Sequence, residues 1–149
     1  MNILRTFTLS IGIIYFIVGI LGFFPALMSA PPATAPTMPN PYGLLFGLFP
    51  VNSLHNVVHL IIGAWGILTY KDVEGSRLYA RSLAVLYAVL GVFGLIPALN
   101  TTFGLIPLFG NDVWLHFLTS ALAAYVGYMM PATAQMGQAG QPDKSRHVS

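Results

Sequence analysis

Four stretches of the chain are apolar almost without a break: approximately Thr6 to Phe24, Val51 to Tyr70, Tyr79 to Ile96 and Val113 to Met130. Each has about the 17–25 residues that an α-helix needs to cross hydrocarbon, and the one charge within them is Arg81, at the edge of the third. Pro25, Pro97 and Pro131 mark helix ends, because proline cannot continue the backbone hydrogen-bond ladder. Asn52 or Ser53, and Asn111 or Asp112, have side chains suited to cap the second and fourth helices. The pattern predicts an all-α fold, a four-transmembrane-helix bundle over residues 1–131, followed by a polar, Gln- and Gly-rich, disordered cytoplasmic tail over 132–149.

The chain also repeats itself. YFIVGILGFFPAL, Tyr15 to Leu27, is matched by YAVLGVFGLIPAL, Tyr87 to Leu99, and FGLFP, Phe46 to Pro50, by FGLIP, Phe103 to Pro107. Running on at the second shift pairs His55 with Asp112 and His59 with His116. Two tandem helical hairpins that enter from the same side imply pseudo-two-fold symmetry about the membrane normal, with equivalent residues facing each other at equal depth. The extra length of the first half falls in the uncharged, Pro-rich segment Ser29 to Gly43, expected to lie extended over the outer surface or to serve as a docking segment. Small residues recur at helical spacing: Gly12, Tyr15, Gly19 and Gly22; Gly63 and Gly66; Ala80, Ala84, Tyr87, Gly91 and Gly94; Ala123 and Gly127. Lipid gives helices no hydrophobic reason to associate, so such stripes read as the close-packed seams of one bundle.

Composition sharpens this picture. With 56% apolar and 7% charged residues and a mean hydropathy of +0.74, the chain has too little polar surface to wrap a soluble core. Its net charge of +2 is too slight to argue for a nucleic-acid partner. The absence of cysteine excludes disulfides, thiolate metal sites and Cys nucleophiles. Arg5, then Lys71, Arg77 and Arg81, then Lys144 and Arg146 flank the same ends of the helices, while the other two loops have no Lys or Arg. By the positive-inside rule both termini are expected in the cytoplasm, in a multi-pass protein of a bacterial inner or other energy-transducing membrane. A signal peptide is the competing reading of the first stretch, but roughly nineteen apolar residues exceed the usual 7–15 of such a core, and the repeat makes the segment a structural half. The expected partners are the lipid bilayer and a larger membrane complex or a second copy of the chain.

One constellation has the residue types for chemistry. His55 and His59, four apart, share a face of the second helix with Asn52 and Asn56 adjoining, and Asp112 and His116 repeat the spacing on the fourth. Three imidazoles and a carboxylate are thereby expected to converge near the outer face. Depth counting puts the Tyr15 and Tyr87 hydroxyls within reach of the inner histidines. A helix N-terminus favours neutral imidazole and ionised carboxylate, the forms that bind zinc, copper, iron or nickel, which makes His55, His59, Asp112 and His116 metal-ligand candidates. His59 and His116 could alternatively be axial ligands of a haem.

The plainer reading is that no cofactor binds: Asp112 caps its helix, and each histidine staples the bundle through a tyrosine hydroxyl or a carbonyl. No phosphate loop, nucleophile triad or carboxylate pair supports an enzyme. The leading expectation is therefore a non-enzymatic accessory or scaffold subunit, with a metal- or haem-binding protein as the alternative and a proton or small-solute path as a further one.

NSLHNVVHLIIGAWG in the second helix, and FGLIPLFGNDVWLHFL leading into the fourth, resemble the small bacterial membrane proteins of the domain-of-unknown-function 4383 family. The resemblance covers Thr6 to about Met130 and rests on Asn52, His55, His59, Asp112 and His116 at their spacings. It implies a four-helix membrane protein and supplies neither activity nor substrate.

Overall fold

In the computed structural model, residues 2–131 are described, so the tail expected over 132–149 lies outside the described residues. Most of the described chain is helical: α1 Ile3–Leu21, α2 Ser53–Thr69, α3 Val73–Leu95 and α4 Asn111–Ala124, the last continuing into a π-helical turn, Tyr125–Met129. Two helices begin before their apolar stretches because polar side chains cap them. Asn2 accepts from the Arg5 amide at 3.0 Å, and Asp72 accepts from the Gly75 amide at 2.6 Å, drawing residues 73–78, Glu74, Ser76 and Arg77 among them, into α3. α1 ends at Leu21, short of Phe24, and Pro25 opens a separate 3-10 turn, Pro25–Leu27.

Asn52 caps α2 as its side chain suggested, accepting from the His55 amide at 2.9 Å. The start of α4 differs from expectation. Its cap is Gly110, whose φ of 67° turns the chain into the helix, so Asn111 and Asp112 lie inside the first turn and neither caps it.

The Pro-rich segment is tied down at its ends. β1 Met28–Ser29, β2 Gly43–Leu45 and β3 Phe49–Val51 form a small antiparallel sheet in that order. Val51 is consequently the end of a strand, and α2 starts two residues later than its apolar run. Phe46 and Gly47 adopt φ of 54° and 71° where β2 turns into β3, and the repeated string puts Phe103 and Gly104 at 58° and 86°. The two FGL turns thus share a left-handed backbone that only the glycine adopts without cost.

α1 packs chiefly on α2 and α3 chiefly on α4, with further contact of α1 on α3. The seams are where the small residues lie: a Cβ at Gly63 would run into the Phe16 backbone, and one at Gly12 would sit 2.9 Å from the Ile67 amide nitrogen. A Cβ at Gly19 would meet Leu60 and one at Gly22 would meet Asn56, while at the equivalent Gly91 and Gly94 it would meet Phe117 and Val113, the repeat partners of those residues. Tyr15, Ile62, Tyr79, Leu83, Ala84, Tyr87 and Ala123 form the core.

α1 and α3 are long and apolar enough to cross a membrane by length and composition; α2 is apolar but has 17 residues, and α4 has 14 before its π-helical turn. At one end of the molecule arginines satisfy helix-terminal carbonyls: Arg5 donates to Tyr70 O at 3.0 Å, and Arg81 to Gly127 O at 3.0 Å. Arg77 reaches Met130 O at 3.2 Å.

Candidate functional site

At the opposite end, the first turns of α2 and α4 deliver the histidines and the aspartate. The Asn52 cap fixes where α2 starts, which places His55 in its first turn and His59 one turn further along. The Gly110 turn does the same for Asp112 and His116 on α4. All four side chains are buried: His55 and Asp112 are each 4% exposed, His116 3% and His59 8%. His55 Nδ1 lies 3.9 Å from Asp112 Oδ2, and one donor atom each from His55, Asp112 and His116 lie within 4.8 Å of one another. His59 stands beside this trio, its ring 4.4 Å from that of His55 between centroids.

Apart from a hydrogen bond between His55 and the Pro50 backbone, the polar atoms of the cluster are short of partners. Nδ1 of His55, His59 and His116 and Oδ2 of Asp112 are buried without a hydrogen-bond partner among the described residues. Each such atom costs about 1–3 kcal/mol. The tyrosines do not relieve this as the depth count suggested. Tyr15 spends its hydroxyl on Thr119 Oγ1, at 3.2 Å, and meets His59 ring to ring, with centroids 5.2 Å apart and planes tilted by 49°. Tyr87 meets His116 edge-on at 5.2 Å and Tyr15 at 5.4 Å. The rings pack the histidines in place; they do not bond them.

Of the adjoining asparagines, Asn52 is a brace. Its Nδ2 donates to Leu105 O at 2.7 Å while Asn111 Nδ2 donates to Leu48 O at 3.1 Å, and Leu48 and Leu105 are equivalent positions of the two FGL turns. Each hairpin's FGL turn is thus held by an asparagine of the other hairpin. Asn56 is buried in the α1–α2 seam, in the space that Gly22 leaves by having no side chain.

A cavity of about 140 Å³ adjoins the cluster. His55, His59, His116 and Tyr87 form its polar side, and Val58, Leu86, Leu90, Thr102, Ile106 and Leu108 the rest. Thr119 and the 102–108 segment were not among the site residues expected from sequence. Thr119 was findable, since it follows His116 by three and shares its helix face. The repeat marks the FGLIP string of this loop but not its approach to the histidines, which depends on the exchanged asparagines.

Two imidazoles and a carboxylate, with a third imidazole adjacent, form a nitrogen and oxygen donor set of the kind that holds zinc, copper, iron or nickel. Around a tetrahedral ion at about 2.0–2.1 Å the donor atoms stand roughly 3.4 Å apart, so the trio, now within 4.8 Å, needs to close by up to about 1.4 Å, a movement of side-chain torsions.

A family model described as Domain of unknown function (DUF4383) matches residues 5–129, a span that contains the whole cluster and both hairpins. No curated protein and no solved structure matches the chain.

Proposed function

Since the chain belongs to the DUF4383 family, a domain of unknown function, its activity has to be read from the site, and we propose that it is a small multi-pass membrane protein that holds one transition metal ion. The ligands are His55, Asp112 and His116, with His59 alongside, in a site near the outer face. The observation that carries this reading is the convergence of three buried donors, within 4.8 Å, whose Nδ1 and Oδ2 atoms have no hydrogen-bond partner among the described residues. Unpartnered buried atoms also occur away from the site, at Asn56, Tyr79 and Asn100; what sets this group apart is that its donors converge, so that one cation would satisfy the three it binds and balance the buried carboxylate. A haem between His59 and His116 fits less well, because about 140 Å³ is below even the roughly 300–1,000 Å³ of ordinary small-molecule pockets. Full-length protein purified gently in detergent should carry, or take up, one Zn²⁺ or Co²⁺ per chain by elemental analysis. Failure to take up either ion at saturating concentration would overturn the reading.

Membrane spanning by all four helices is part of the same proposal. Leu68 is 80% exposed, and Ile14, Ile61, Val85 and Leu118 are also large apolar residues facing outward on different helices, a surface suited to hydrocarbon. The repeated glycine contacts and the exchanged asparagines favour pseudo-two-fold symmetry about the membrane normal. The arginines at the end away from the cluster favour a cytoplasmic position for both termini and an outer position for the His/Asp site. Reporter fusions after Gly75 and at the C-terminus should both read as cytoplasmic; two external readings would reverse the orientation.

A further inference from the structure

The cavity beside the cluster bears on what kind of metal centre this is. A structural metal site is closed by four protein ligands, whereas a site that binds or transforms something keeps a coordination position open. Here three donors converge, and the space next to them is lined by the three histidines together with Tyr87 and Thr102, and otherwise by aliphatic side chains. Its volume of about 140 Å³ is close to that of the roughly 150 Å³ apolar cavity known to admit a benzene-sized guest. Leu86, which lines it, is also 41% exposed on the surface of α3, so on that side a single surface side chain separates the cavity from the exterior of the bundle.

From these observations, and resting on the metal reading above, we infer that the ion keeps an open coordination position that accepts a small uncharged ligand, of up to about benzene size, arriving laterally from the membrane. An aliphatic wall disfavours a charged guest, since moving an ion out of water costs several kcal/mol without a partner. A neutral molecule with one donor atom loses little on entering and gains a metal bond. His59, outside the donor trio yet on the cavity wall, is placed to hydrogen-bond the bound ligand through its ring.

The test uses the full-length chain loaded with Co²⁺ in detergent, with imidazole at pH 8 and 4-phenylimidazole as neutral probes of two sizes. Imidazole should shift the visible Co²⁺ absorption saturably, and 4-phenylimidazole should not. Leu90→Trp, which fills the cavity, should retain Co²⁺ and lose at least about tenfold in imidazole affinity. Leu118→Trp, on the lipid-facing surface away from the cavity, should respond like the wild type. Absence of any imidazole shift in Co²⁺-loaded wild type, or an unchanged shift in Leu90→Trp, would overturn the open-position inference and leave a closed metal site. Failure of Co²⁺ to bind at all would instead strike the metal reading itself.

Discussion

The two hairpins share a scaffold and differ at the site. In both, a Tyr-to-Pro string precedes a left-handed FGL turn, and glycines at equivalent positions admit equivalent residues of the neighbouring helix. The first hairpin enters its second helix through an asparagine cap and puts His55 in the first turn. The second enters through Gly110 and puts Asp112 at the equivalent place. One turn deeper both have a histidine, but His116 joins the converging trio and His59 does not. Scaffold contacts thus recur in both halves, while the first-turn pair differs, His55 against Asp112, so that nitrogen and oxygen atoms meet in the cluster.

The scaffold side of the comparison carries the largest expected effect. Gly63 meets the Phe16 backbone, which cannot yield, whereas Gly91 faces the Phe117 ring, with Cβ contacts of 3.0 Å that a rotation relieves. Gly63→Ala should therefore cost at the top of the about 1–3 kcal/mol range of overpacking, and Gly91→Ala well under 1 kcal/mol. Thermal melts in detergent read the difference. Equal losses would mean that these two positions do not differ in how far their neighbours can yield.

Next comes the donor set. His116→Gln should weaken Zn²⁺ binding by more than the roughly 10–100-fold typical of outer-shell changes, and His59→Gln should stay within that range. Isothermal titration distinguishes them, and equal losses would make His59 a fourth ligand. The exchange variant His55→Asp with Asp112→His preserves the donor atoms and should retain the ion within about tenfold, while His55→Asp alone, which sets two carboxylates face to face, should not. A dead exchange variant would show that the helix on which the carboxylate sits matters as well as its presence.

The smallest effects concern the exchanged asparagines. Asn52→Ala removes both a cap and a bond to Leu105 O and should cost about 1–2 kcal/mol. Asn111→Ala loses the bond to Leu48 O and the indole contact of Trp114, both exposed, and should cost about 0.5 kcal/mol. A reversed order would contradict the caps assigned to α2 and α4.

Much of this architecture is legible in the amino-acid sequence. The helices, the glycine seams and the approach of His55, Asp112 and His116 follow from apolar runs, small-residue stripes and i, i+4 spacing, all local or repeated signals. The features that are not legible depend on distant partners. Asp112 looks like a helix cap, but Gly110, at φ 67°, starts the helix before it. The Tyr15 hydroxyl looks free to reach a histidine, but Thr119, more than a hundred positions away, takes it. The strand at Val51 exists because β2 turns back onto it, and a lone apolar run cannot distinguish that strand from a helix start.

The central claim, one ion held by two imidazoles and a carboxylate, is tested most directly by X-ray absorption on the Zn²⁺-loaded full-length chain and on His116→Gln. The account expects a first shell of nitrogen and oxygen at about 2.0–2.1 Å with outer-shell scattering from two imidazoles, falling to one in a weakly loaded variant. A first shell without imidazole scattering, or a spectrum unchanged by His116→Gln, would contradict it.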